Sequence, residues 1–393
     1  MSMDTKQLKN LVISELETGR RRLGELSTQI HSNPELGFHE DRAADQLTDF
    51  LGENGFSVER GICGLPTAFK ARYGTARPFI GLLAEYDALP GLGHGCGHNI
   101  ISASAAGAGM AARTAVDRLG GSIFVIGTPA EEMFGGKAIM AEKGAFKELD
   151  AAMMVHPGTT DTATIQALAC QTLDIEFFGR TAHAAAAPEQ GINALDAMLQ
   201  SYNAINALRQ HIKSTARVHG IITNGGDAAN VVPAYSVANF IVRAVEDDYL
   251  DELKEKILNC FIGAATATGA RLEYKWGERY APLLNNLTLA HLFVDNMTTL
   301  GRDITLSDPG AFFGSTDMGN VSQIVPGIHP FVAIAGPEIL LHSAEFALAA
   351  ASDEGAKGMM DAAGAMAMTV VDLLAGPEKL AEAKEEFEHR SKK

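Results

Sequence analysis

Between residues 68 and 157, short apolar runs alternate with helix-like segments, and this alternation constrains the fold more than any other feature of the chain. AFKARYG (68–74), FIGLLAEYD (79–87), SIFVIGTPA (122–130) and AAMMVHP (151–157) have the length and composition of strands. NIISASAAGAGMAARTAVD (99–117) and KAIMAEKGAF (137–146) fall between them as helices, the first made of small residues able to pack closely on a sheet. Apolar strands separated by helices predict an α/β domain with a mixed, mostly parallel sheet sandwiched by helices. Upstream, Leu8, Leu11, Val12, Leu16 and Leu23 mark an amphipathic helix reaching about His31, and a second helix is expected over 41–54.

The rhythm changes after Cys170. TLDIEFFGRT, INALDAMLQSYNAINALRQHI, ARVHGIITNGG, SVANFIVRAV, DDYLDELKEKILNCFIGAATAT and ARLEYKWGERY read as strand, helix, strand, strand, helix, strand. That order is the ferredoxin-like βαββαβ unit. It occupies about 171–284 and looks inserted, leaving 1–170 and 285–393 as one frame; 393 residues suit two domains. In the second part of the frame, 288–301 reads as a helix, 330–336 as a strand, 345–374 as one long helix and the tail from Pro377 as a surface helix.

Charge narrows the function classes. With 32 Lys+Arg against 48 Asp+Glu the formal charge is −16, which opposes binding to nucleic acid or to anionic lipid. Four cysteines (Cys63, Cys96, Cys170 and Cys260) make no disulfide framework. No run of 18 clean apolar residues is evident, so the expectation is a cytoplasmic protein without a membrane span.

Three sequence points then share one structural address. The loop ALPGLGHGCGHN, the pair Glu131-Glu132 and His156-Pro157 each follow a predicted strand. In an open α/β sheet the C-terminal strand ends converge on the ligand crevice. Cys96, His98, Glu131, Glu132 and His156 are therefore expected at one mouth, and their side chains are those a borderline cation such as zinc prefers. Singly each is weak. A Cys-x-His recurs by chance, a Glu-Glu pair usually sits on a solvated face, and a histidine before proline can simply bond a loop. Competing signatures are missing: GLGHGCG is not G-x-G-x-x-G, GGK at 135–137 is no phosphate loop, and no G-x-S-x-G occurs.

HSNPELGFHE (31–40), AEYDALPGLGHGCGHN (84–99), GTPAEE (127–132), MMVHP (153–157), GRTAHAAAAPEQGINALDA (179–197), NVVPAYSVANFIVRA (230–244) and LHSAEF (341–346) together resemble the M20 metallopeptidase and amidohydrolase family. The blocks point to the subgroup of N-acyl-amino-acid amidohydrolases, indole-acetyl-amino-acid hydrolases and aminobenzoyl-glutamate hydrolase. The wording of AEYDALPG…GCGHN and GSTDMGN…VPG (314–327) is most similar to the aminobenzoyl-glutamate hydrolase branch, which includes dipeptidase-like proteins acting on dipeptides with basic residues. The resemblance implies a zinc-exopeptidase-like catalytic domain with an inserted lid and dimerisation domain. It implies two divalent ions, zinc or manganese, held by Cys96, His98, Glu132, His156 and His342, with Glu131 as general base. It assigns His183 to the oxyanion, reached from the lid of a second subunit, although a helix-start histidine is its bland reading. Asn230 and Arg243 match lid residues that bind the substrate carboxylate; an exposed sheet-face arginine is the alternative. Glu85 or Asp87 would support a metal histidine from behind, His94 lines the loop or pocket, and specificity is expected from 311–329 and the lid.

The implied activity is hydrolysis of an N-acyl or N-aroyl amino acid, or of a related dipeptide, by a homodimer. Hydrolytic deamination at the same site is an alternative. A metal-dependent binding protein on a retired scaffold is another, and it should lack Glu131 or a ligand; none is missing.

Overall fold

The computed structural model describes residues 4–390, apart from the side chains of 308–313. The expectation for specificity at 311–313 therefore lies outside the described residues. The chain divides into two compact units. One comprises the chain up to Gln166, Leu283–Phe313 and everything from Asp317 onward; the other is Ala167–Pro282 with Gly314–Thr316.

The first unit is built on a six-stranded sheet. Phe79–Ala84 runs parallel to Ser122–Gly127 on one side and to Ala151–Met153 on the other, and Gly327–Ile328 continues the parallel run. Phe69–Gly74 and Ser57–Arg60 add an antiparallel edge, so the sheet is mixed and mostly parallel. The helix Thr5–Ser32 turns one stripe inward, Leu8, Val12, Leu16, Leu23, Leu26 and Ile30, into the same core as the small-residue helix His98–Leu119. A second sheet in this unit, containing Thr162–Ala167 and Thr305–Phe313, was not anticipated. Its other two strands, His156–Gly158 and Phe331–Ala333, lie at the end of the strand expected over 151–157 and within the one expected over 330–336. Thr162–Ala167 and Thr305–Phe313 carry too many polar residues to read as strands.

The helix expected over 345–374 is two helices, Ala344–Ala349 and Asp353–Ala375. The Ser352 hydroxyl accepts the Gly355 N–H and restarts the second one, a capping contact that an apolar pattern does not reveal. Asp353–Ala375 is, among the described residues, the one helix long and apolar enough to cross a membrane, and it is mostly buried in the core.

The second unit has its own core around Leu173, Phe177, Phe240, Leu253 and Phe261. Its elements follow as Ala169–Phe178, Ala194–Leu208, Arg217–Asn224, Tyr235–Ala244, Asp247–Thr268 and Arg271–Tyr280, the βαββαβ order. All three strand pairs are antiparallel, with the first and third strands central, as a ferredoxin-like unit requires. Gly314–Thr316 joins it through Leu168 N–H, which donates to Gly314 O at 3.0 Å.

Candidate metal centre and active site

The site forms at the C-terminal ends of the three central parallel strands of the first unit. Beyond Phe79–Ala84 the chain passes Glu85 and Asp87 into the loop that carries Cys96 and His98. Gly97 between them has φ +78°, and a Cβ there would lie 2.5 Å from Pro157 Cγ, so only glycine lets Cys96 and His98 come so near the third strand end. After Ser122–Gly127 the chain reaches Ala130, whose φ is 62°, and starts the short helix Glu131–Phe134. The segment then folds back so closely that a Cβ on Gly136 would sit 1.8 Å from Pro129 O. His156 follows the third strand, and the His342 N–H donates to Gly95 O at 2.9 Å, which ties the distant C-terminal segment to the cysteine loop. His342 also has a positive φ, 61°. Left-handed backbone in a non-glycine residue costs of order 1–3 kcal/mol, and here it occurs at one site residue and next to another.

Cys96 lies at the middle of this cluster. Its Sγ is 3.4 Å from His156 Nε2 and 3.3 Å from His342 Nε2. Ligand atoms of Cys96, His98 and His156 lie within 4.8 Å of one another, and so do those of Cys96, Glu132 and His342. The imidazoles are aimed by their far nitrogens. Pro157 O can only accept, so His156 Nδ1 donates to it at 2.6 Å and the neutral ring turns its Nε2 lone pair to the sulfur. His98 Nδ1 faces Asp87 Oδ1 at 2.9 Å, and its buried Nε2 has no hydrogen-bond partner. Glu132 Oε1, 3.6 Å from both His98 Nε2 and His342 Nε2, has none either. Buried donors left without partners and converging on one point are what a cation would satisfy. The contact to His98 Nδ1 falls to Asp87, which also accepts the Glu132 N–H at 3.0 Å; Glu85 Oε2 stands 3.5 Å from His98 Nε2.

Charge points the same way. Among the described residues, the five carboxyl groups of Glu85, Asp87, Glu131, Glu132 and Asp317 surround the site with a single ammonium, Lys137, an acidic excess that favours a cation. Burial lowers His156 and His329 to about 3, so both are neutral. Burial, then Glu132, raises the Cys96 thiol well above its usual range; burial pulls His98 down, but the Asp87 charge and hydrogen bond override it and raise it. Cation binding at these atoms must therefore displace protons. Burial, then Glu85 and Glu132, pushes half-buried Glu131 well above the ordinary carboxylate range, toward the affinity a neutral-pH proton carrier needs.

Cys96, His98, Glu85, Asp87, Glu131, Glu132, His156 and His342 are thus brought together in the first unit. His94 is buried in the same loop. The other expected residues lie in the second unit. There His183 is exposed and its Nδ1 accepts from Ala185 N–H at 3.3 Å and Ala186 N–H at 3.2 Å, which leaves the proton on Nε2, free to donate. The Ala184 N–H donates to Asn230 O at 3.0 Å, so His183 and Asn230 are neighbours. Arg243 is half-buried rather than an exposed sheet-face residue, with Nη1 donating to Ser315 Oγ at 2.7 Å and Nε to His219 at 3.4 Å.

Three polar residues of the first unit, each inside a motif quoted above, had no role assigned from the sequence. Lys137 and Asp317 form a buried pair 180 positions apart. Glu40, fully buried, accepts the Ala130 N–H at 2.8 Å and the Thr67 hydroxyl at 2.9 Å, bracing the strained turn that starts Glu131. Burial, then the Asp87 charge, lifts Glu40 from 4.5 to about 7. The folded chain therefore keeps a proton there that the unfolded chain gives up above pH 4.5. That contribution is complete below pH 4.5 and is lost as pH rises through 7, a change of about 3 kcal/mol. Thermal melts of wild type and Glu40→Gln across that interval should show wild type losing stability relative to the variant as pH rises. A constant difference would refute the raised value.

Residues 81–364 match Peptidase family M20/M25/M40. The chain belongs to that family. It is accordingly a metal-dependent hydrolase of peptide or amide bonds. This M20 chain is 38% identical over 396 residues to a human (Homo sapiens) protein described as Xaa-Arg dipeptidase, covering 95% of this chain and 90% of that one. It is 32% identical over 331 residues to one of the subunits of p-aminobenzoyl-glutamate hydrolase from Escherichia coli strain K12, covering 78% of this chain and 68% of that one. Among solved structures, a dinuclear metal-binding M20 peptidase from Bacillus subtilis shares the M20 fold at TM-score 0.68 and 22% identity, over 91% of this chain and 99% of that one.

Proposed function

We propose that this M20 hydrolase is a two-metal enzyme that releases an amino acid from an N-acyl or N-aroyl conjugate or a dipeptide, with dipeptides ending in a basic residue the first candidates. The observation that carries the reading is the position of Cys96 Sγ, common to two three-donor groups. Cys96, His98 and His156 would hold one divalent ion, and Cys96, Glu132 and His342 the other. Thiolate and imidazole favour zinc, while the carboxylate also admits manganese. The likeness to a dipeptidase named for Xaa-Arg supports the substrate class.

When bound, two such ions acidify a water and polarise the amide carbonyl. The protein's own groups do the rest. Glu131 takes the proton of the attacking water on its carboxylate and delivers it to the leaving amine nitrogen. Asp87 and Pro157 O keep the two imidazoles turned toward the cluster through their Nδ1–H. In a homodimer formed through the second unit, acting as a lid, Nε2–H of His183 of the partner subunit donates to the developing oxyanion. Asn230 and Arg243, the latter steadied by Ser315, bind the substrate carboxylate.

Two experiments test this. Metal-loaded protein is assayed for free amine with Xaa-Arg and Xaa-Lys dipeptides, aminobenzoyl-glutamate and a series of N-acyl amino acids. Release of amino acid from at least one is expected; ammonia without acid product would instead mean deamination. Equimolar mixing of His183→Ala and Glu131→Gln subunits, each inactive alone, should restore about a quarter of wild-type activity, since half the dimers are mixed and each carries one intact composite site. No recovery after verified subunit exchange would rule out action across the dimer.

A further inference from the structure

Strand Tyr235–Ala244 of the second unit alternates between two faces. Ala238, Phe240, Val242 and Ala244 turn into the core, which leaves Ile241 and Arg243 on the opposite face of the sheet. Antiparallel pairing sets Arg243 opposite Arg217 and Ile241 opposite His219. His219 is therefore the diagonal neighbour of Arg243 on that face, at a separation long side chains can bridge. Two guanidinium groups directly opposite each other repel. Arg217 turns its Nη1 to the carbonyls of Ser214 and Ala216, at 2.5 and 2.7 Å. Arg243 instead reaches its diagonal neighbour: its Nε donates to His219 Nε2 at 3.4 Å, and its Nη1 donates to Ser315 Oγ at 2.7 Å. A Cβ on Gly314 would lie 3.5 Å from that Nη1, so the guanidinium lies against the backbone that carries Ser315.

Neither partner is an anion. Arg271 and Arg279, on strand Arg271–Tyr280, pair with Glu273 and with Asp247 and Asp251 respectively. Among the described residues no carboxylate pairs with Arg243. The distinction matters for an arginine that has to receive an anion. A carboxylate acceptor would hold the guanidinium and also cancel its charge, whereas a hydroxyl oxygen and a neutral imidazole nitrogen hold it and leave the charge in place. Accepting at Nε2 puts the His219 proton on Nδ1. Partial burial, then the Arg243 and Arg209 charges, keep the His219 pKa below its ordinary value, so the ring is neutral near pH 7. A guanidinium grips a carboxylate through two parallel N–H bonds, so its orientation decides affinity as well as its charge. We propose that His219 is a positioning residue for the substrate carboxylate: with Ser315 it fixes the plane of the Arg243 guanidinium and leaves its positive charge unneutralised. This rests on the reading of Arg243 as a carboxylate-binding residue.

The test uses the metal-loaded enzyme and whichever of the conjugates named above wild type cleaves fastest, with metal content measured alongside. His219→Leu removes the acceptor from an exposed position and leaves the core untouched. It should raise KM about 2–10-fold, the effect of losing one ordinary hydrogen bond. Metal content and kcat should stay at wild-type values, because the carboxylate is held alike in substrate and transition state. An unchanged KM, or a loss confined to kcat, would overturn the proposal. His219→Gln offers an amide oxygen to the same Nε–H and should recover most of the affinity; a KM as high as that of His219→Leu also overturns it. His219→Glu supplies an acceptor that does neutralise Arg243, and it should raise KM more than His219→Leu. A wild-type KM in that variant is a third overturning result. Arg243→Ala keeps the two levels apart, since it should raise KM further than His219→Leu. If it leaves KM unchanged, or if wild type cleaves none of the conjugates, the parent reading fails; if it raises KM while the His219 variants do not, only the role of His219 is refuted.

Discussion

Replacing Glu131 with Gln leaves the metal content of the enzyme intact and lowers kcat by about 10²–10⁴-fold, the contribution expected of a group that moves a proton in the transition state. The substitution keeps shape and removes only the capacity to accept a proton. Burial and the Glu85 and Glu132 charges raise the affinity of Glu131 for a proton, which suits it to the proposed role of base and then acid for the departing amine. Neither metal donor group built on Cys96 includes Glu131, so elemental analysis of the purified variant should return wild-type stoichiometry. Turnover close to wild type in a metal-replete Glu131→Gln protein would remove Glu131 from the mechanism.

Cys96→Ala has the opposite signature. Both donor groups contain this sulfur, so both lose an atom at once, and the remaining pairs, His98 with His156 and Glu132 with His342, are too few for tight binding. Both ions should weaken by more than the roughly 10–100-fold typical of an outer-sphere change, and activity at sub-saturating metal should vanish. His156→Ala takes a donor from one group only and should release one ion in preference to the other. Chelator competition with paired activity measurements distinguishes these patterns. Retention of two tightly bound ions by Cys96→Ala would show that the sulfur is not shared. Cys63→Ala, outside every candidate donor group among the described residues, serves as the control.

The three central strands were readable as apolar runs that each lead into a reactive residue, and parallel pairing places their ends on one side of a sheet. The expected ends at 87, 130 and 157 overran the observed ones at 84, 127 and 153 by three or four residues. The second unit was readable from its alternation of strand and helix lengths. Residues whose role depends on a distant partner were not. Asp317 meets Lys137 across 180 positions, and Glu40 meets Ala130 across 90, with no local pattern to announce either. The break at Ser352 was hidden because alanine-rich sequence favours helix on both sides of it, and only the hydroxyl contact to Gly355 N–H marks the restart. His342 was reached through resemblance alone; its tether to Gly95 is a backbone bond, indifferent to side-chain identity.

The interrupted course of the first unit has a consequence for how the enzyme is made. Its core includes Met359, Met360, Met366, Val370 and Val371 from Asp353–Ala375, packed with residues from the first turns of the chain. The second unit's core and its last strand, Arg271–Tyr280, are by contrast complete once residue 280 has been synthesised. On a ribosome adding about 5–20 residues per second, domains fold as units when their sequence is complete. The second unit can therefore consolidate while the strands ending at Ala84, Gly127 and Met153 still await their closing helix. In the proposed donor set His342 comes last, so that set could assemble only after residue 342 has left the ribosome, and on that reading the metal would be acquired late in synthesis.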